Sequence, residues 1–115
     1  MAKPMKFHSK KVVIDGHKFD SKREAERYRE LMLLQSAGKI AGLTLQVPFV
    51  LAHGVRLFGE TRKRPAIRYL ADFVYTDTEL CSIVVEDVKG MDLPMGRLKR
   101  HLMKTIHDID VKVTK

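Results

Sequence analysis

With 115 residues and 44% hydrophobic content, the chain has the usual size of a single domain and enough apolar side chains to bury a core. No apolar run approaches the roughly 18 residues needed to cross a bilayer, and the basic N-terminus has no apolar secretory segment. The 22 Lys and Arg exceed the 14 Asp and Glu by +8, which points to a polyanionic partner, nucleic acid ahead of an acidic membrane surface.

Residues 1–10 are polar and basic and read as a flexible arm ahead of one domain spanning 11–115. Between Val12 and Phe19, Asp15-Gly16 separates two short strand-like pieces, a hairpin signal. Asp20 and Ser21 supply an N-cap for a helix running to about Ala37, stopped by Gly38. Its buried stripe is Ala25, Tyr28, Leu31, Met32 and Leu34, while Lys22, Arg23, Glu26, Arg27 and Glu30 face solvent. Ile40 to Ala52 is strand-like, with Pro48 marking a bend or an edge. The 52–66 segment is the longest irregular stretch, and loops of that length in compact domains are often functional or mobile.

Strands follow near 67–75 and 80–89, joined by a turn at Asp77-Thr78. Pro94 opens a second helix reaching about His107, with Leu98, Leu102 and Ile106 at helical spacing. Residues 110–114 close the chain as a strand. The expected fold is α/β (α+β): a hairpin, then an αβββαβ core whose central mixed sheet is flanked by helices. The single Cys81 falls in a strand-like run, where a small buried hydrophobe is expected. One cysteine and no visible signal segment favour a reducing, cytoplasmic compartment.

Chemistry concentrates in Tyr69-Leu70-Ala71-Asp72-Phe73-Val74 and Val84-Val85-Glu86-Asp87-Val88-Lys89-Gly90. Each strand carries acid where a buried strand should be apolar, which costs several kcal/mol unless the acid is paired or binds a metal. Asp87 and Lys89 share a face, and Glu86 and Val88 take the other, so parity selects Asp87 as the acid that joins the lysine. Glu24 lies beside the buried stripe of the first helix. Ser21-x-x-Glu24 also fits a capping box, and the residues alone leave both roles open. Carboxylates of this kind suit Mg²⁺ or Mn²⁺, one or two ions, beside a phosphodiester, with a lysine to orient or deprotonate water and offset charge.

Arg62, Lys63, Arg64 and Arg68 precede the Asp72 strand, and Arg97, Lys99, Arg100 and Lys104 follow Lys89. Solvated surface charge is the default for both clusters, and guidance of phosphates is their joint functional reading. The five histidines have no zinc spacing, and no phosphate-binding glycine loop or serine-hydrolase elbow is present.

Five stretches resemble the PD-(D/E)XK nuclease superfamily: Phe19 to Glu24, Gln46 to Phe49, Tyr69 to Phe73, Asp87 to Gly90, and the chain from about Lys99 to Val113. The likeness is to phage junction-resolving enzymes of the endonuclease I type, to transposon end-cleaving subunits, and to small uncharacterised phage nuclease-like proteins. The resemblance implies a restriction-endonuclease-like core and a catalytic set of Glu24, Asp72, Asp87 and Lys89. It implies metal held by Glu24, Asp72, Asp87 and the Val88 carbonyl. Ala71 stands where a Pro often precedes the first Asp, and Asp87 where Glu is commoner. The implied activity is metal-dependent cleavage of DNA, of branched or four-way-junction form, by a homodimer in phage recombination. The alternative is a non-catalytic DNA-binding protein of the same fold.

Overall fold

Asp15 and Gly16 both take positive φ (53° and 80°), the combination a type I′ turn requires. They join β1 (Val12–Ile14) to β2 (His17–Phe19) as an antiparallel hairpin. The computed structural model describes residues 11–115, and the expected N-terminal arm lies outside the described residues. Helix α1 (Lys22–Ser36) begins where the Ser21 hydroxyl accepts the Glu24 amide proton at 3.1 Å. It ends where Gly38 takes φ +76° and the Lys39 amide donates to the Leu34 carbonyl.

β3 (Ile40–Ala52), β4 (Ile67–Asp77), β5 (Ser82–Val88) and β6 (Lys112–Thr114) form one mixed sheet in the order β3-β4-β5-β6. The first two pairings are antiparallel, and β5 pairs with β6 in parallel through a crossover carried by α2 (Pro94–His107). Val84 and Val88 pack with Ala25, Tyr28 and Leu31 of α1, whereas Val85 packs with Met103 of α2. Alternate residues of a strand point to opposite faces, so the two helices cover opposite sides of the sheet.

The two long strands change phase midway. Leu43, Leu45, Phe73 and Tyr75 belong to the α1 cluster, and Phe49, Leu51, Tyr69 and Ala71 to the α2 cluster. A strict two-residue period would keep Leu43 through Leu51 on one face, and likewise Tyr69 through Tyr75. In β3 the break falls at Gln46, whose φ is +52°; in β4 it falls around Asp72. The flanking pairs Leu45↔Phe73 and Val47↔Ala71 set these two breaks opposite each other.

Several expectations need correction. Of the two readings of Pro48 the edge holds: it pairs with Leu70 within β3, which is an edge strand, as its missing donor allows. Arg27 does not face solvent, because its guanidinium reaches across α1 to Glu86 on the neighbouring face of β5. Leu34 sits at the margin of the α1 stripe and is exposed. On α2, Met103 is the residue fully buried, while Leu98 and Ile106 are half exposed, because the helix meets the sheet through Leu102 and Met103. Cys81 is exposed, with φ 52°. The Asp77 carboxylate accepts the Glu79 and Leu80 amides there, and the resulting turn delays β5 until Ser82.

Candidate functional site

Pairing between β4 and β5 ends at Phe73↔Glu86. Beyond it the Asp72 side chain replaces the ladder, its Oδ2 accepting the Val88 amide proton at 2.8 Å. β5 stays beside β6 past this point, since the Lys89 amide donates to the Thr114 carbonyl at 2.9 Å. That bond anchors the peptide carrying the expected Val88 carbonyl ligand.

Asp87 is buried, and its Oδ2 accepts from the Tyr69 hydroxyl at 2.7 Å and meets Lys89 Nζ at 3.0 Å. Glu24, also buried, stands in the first turn of α1. Its Oε2 accepts from Gln46 Nε2 at 3.2 Å, and the same amide lies 3.5 Å from Asp72 Oδ1. Only half of the capping box forms: the Glu24 backbone is capped by Ser21, while its carboxylate turns to Gln46. The structure thus gathers Glu24, Asp72, Asp87 and Lys89 at the place where β4 and β5 part.

Crowded acids change each other's acidity. Burial, then the hydrogen bond and charge of Asp87, push Asp72 up to about 8. Burial, then the charges of Asp20 and Asp87, push Glu24 up to about 7. Burial works against ionisation of Asp87 as well, but hydrogen bonds from Asp72, Tyr69 and Lys89 outweigh it and hold Asp87 below the usual carboxylate range. Burial and the Asp87 bond raise the Tyr69 phenol, so it remains a donor.

Glu86, the rival acid, is fully buried on the other face. Arg27 grips both its oxygens through Nε and Nη2, and the Tyr75 and Thr114 hydroxyls complete its shell. Burial opposes its ionisation, but these bonds hold its carboxyl below the usual range. With its lone pairs committed, Glu86 has no capacity left for a metal.

Among the described residues, no three of His, Cys, Asp and Glu form a ready metal cage. The donor chemistry nevertheless fits a hard cation. Tyr69 and Lys89 engage one oxygen of Asp87, Val88 one of Asp72 and Gln46 one of Glu24. The second oxygen of Asp72 has the long Gln46 contact.

Of the expected DNA-binding residues, Arg64 pairs with Glu60, Arg97 and Arg100 with Asp92, and Lys104 with Asp108. Arg100 is also largely buried. Arg62, Lys63 and Arg68 are exposed, Lys99 is half-buried, and none of the four has an acidic partner among the described residues.

Gln46 and Tyr69 were not assigned roles from sequence. A tyrosine in an otherwise apolar strand needs a partner for its hydroxyl, and that was the available signal for Tyr69. Gln46 opens one of the five stretches that carry the resemblance, but its role depends on a left-handed backbone inside a strand, which no local period shows.

Fold and site define a small α/β protein whose mixed sheet opens at a cluster of three acids and one lysine. Among the described residues no helix is long and apolar enough to cross a membrane. The chain belongs to the family described as "Protein of unknown function (DUF1064)", whose model matches residues 4–115. No curated protein and no solved structure matches it.

Proposed function

We propose that the protein is a metal-dependent endodeoxyribonuclease that hydrolyses phosphodiester bonds. The observation that carries this reading is the meeting of Glu24, Asp72, Asp87 and Lys89 where β4 and β5 separate. The order helix, three strands, helix, strand agrees with the core of the nuclease superfamily that the sequence resembles. When bound there, Mg²⁺ or Mn²⁺ supplies an activated water and neutralises charge on the phosphate. Asp72, Asp87 and Glu24 would hold the ion, with the Val88 carbonyl beside them. Tyr69 orients Asp87, Val88 orients Asp72, and Gln46 spans Glu24 and Asp72. Lys89 orients the attacking water and offsets the charge that develops as its oxygen bonds to phosphorus and the ester oxygen leaves.

Branched DNA is the favoured substrate by analogy with junction-resolving enzymes, which make two coordinated cuts; a homodimer acting in the cytoplasm follows from that analogy. The test is cleavage of supercoiled and four-way-junction DNA with Mg²⁺. Wild type is expected to cut, and Asp72→Ala and Lys89→Ala to be slower by about 10²–10⁴-fold. Equal rates in all three would sink the assignment. A non-catalytic DNA-binding reading draws support from the absence of a ready three-ligand cage among the described residues. Calorimetric titration with Mn²⁺ separates the two: binding that Asp72→Asn weakens favours the nuclease, and no binding favours the alternative.

A further inference from the structure

Phe58 is fully exposed, at 106% relative accessibility, on the loop joining β3 to β4. This loop is braced. Val55 and Arg64 exchange two backbone hydrogen bonds, carrying the hairpin past the last ladder pair, Ala52↔Ile67. The Glu60 amide donates to the Leu57 carbonyl at 3.1 Å and closes a turn with Phe58 and Gly59 at its centre. Gly59 takes φ +82°, as the third position of a type II turn requires. The Arg64 guanidinium forks onto Glu60. Gly54 permits the close approach opposite, since a Cβ there would lie 2.6 Å from the Arg64 carbonyl oxygen. The ring is therefore held outward by its backbone.

Its surroundings are cationic. Arg56, Arg62 and Lys63 are exposed and have no acidic partner among the described residues. The same loop of a second copy would bring the same three cations to this tip, like charge against like. A polyanion whose flat apolar faces lie between phosphates matches both features. Arg64, paired with Val55 at the near end of the loop, is eight positions from Asp72, so at roughly 3.3 Å each it stands at most about 26 Å along the hairpin from the acids, and Phe58 lies three residues beyond Val55.

We propose that the tip of the β3–β4 hairpin is a nucleic-acid contact in which Phe58 stacks on an unpaired base while Arg56, Arg62 and Lys63 meet the flanking phosphates. This rests on the DNA reading above and adds to it a residue that recognises exposed bases.

The chain has no tryptophan, so Phe58→Trp installs a unique tryptophan at the tip, whose emission is excited selectively over that of the three tyrosines. Wild type, Phe58→Trp and Phe58→Ala are titrated in EDTA with a single-stranded oligonucleotide of about 16 nucleotides and with a blunt duplex of equal length. The single strand is expected to quench the tryptophan, and Phe58→Ala to bind it about 5- to 150-fold more weakly, the range one stacked base contributes, with little change on the duplex. Equal single-strand binding by wild type and Phe58→Ala, with unquenched tryptophan, would overturn this proposal and leave the DNA reading standing. Failure of wild type to bind either DNA would overturn both. Tryptophan emission that shifts with protein concentration alone, with a sedimenting dimer lost in Phe58→Ala, would assign the ring to self-association instead.

Discussion

Asp72 does two jobs with two oxygens: Oδ2 replaces a ladder acceptor for Val88, and Oδ1 faces the Gln46 amide that also bonds Glu24. Its carboxyl, raised from 3.8 to about 8, and that of Glu24, raised from 4.5 to about 7, keep protons that the unfolded chain would release. The folded state binds more protons over that window, so these groups lower stability progressively as pH rises from about 4 to about 8. In thermal unfolding with EDTA, wild type should lose stability relative to Asp72→Asn across that range. The variant should be more stable at the upper end by about 1–2 kcal/mol, because its amide can face Asp87 without a second charge. Excess Mn²⁺ should narrow the gap from the wild-type side. Tyr69→Phe removes only the hydroxyl that orients Asp87. It should lower Mn²⁺ affinity by about 10- to 100-fold in calorimetry while leaving the fold intact.

At the scale of elements, α1 serves two polar clusters within one turn. Glu24 reaches the opening between β4 and β5, and Arg27, three residues on, reaches Glu86. The Arg27–Glu86 pair ties the helix to β5, and Thr114 brings in β6. Arg27→Ala leaves a buried carboxylate uncompensated and should cost about 3–5 kcal/mol in urea unfolding. Adding Glu86→Gln to the same chain removes that charge and should recover most of the loss. The alternation rule that separated Glu86 from Asp87 held, because β5 runs without a break. The same rule fails in β3 and β4, where Gln46 and Asp72 interrupt the phase.

Across the whole molecule, the net +8 is distributed unevenly in its availability. Arg64, Arg97, Arg100 and Lys104 are held by acids, whereas Arg62, Lys63, Arg68 and Lys99 have no acidic partner among the described residues. If DNA is the partner, log affinity should fall linearly with log salt. Replacing Arg62 and Lys63 by Ala should reduce that slope by about 2, and replacing the paired Arg97 by less than about 1, measured by anisotropy.

The Asp-Gly turn, both helices, the element order and the facing of Asp87 with Lys89 were legible from the chain alone, because each follows from local periods and capping chemistry. Cys81 misled because a short side-chain turn at Asp77 overrode the apolar run around it. The burial of Arg27, the outward flank of α2, and the roles of Tyr69 and Gln46 depend on partners from 18 to 59 residues away. Sequence alone determined which residue types the acid-bearing strands present. Only the tertiary structure decided which oxygens meet, since a one-residue change of phase in two strands, invisible to any local period, carries Asp72 and Gln46 to one opening.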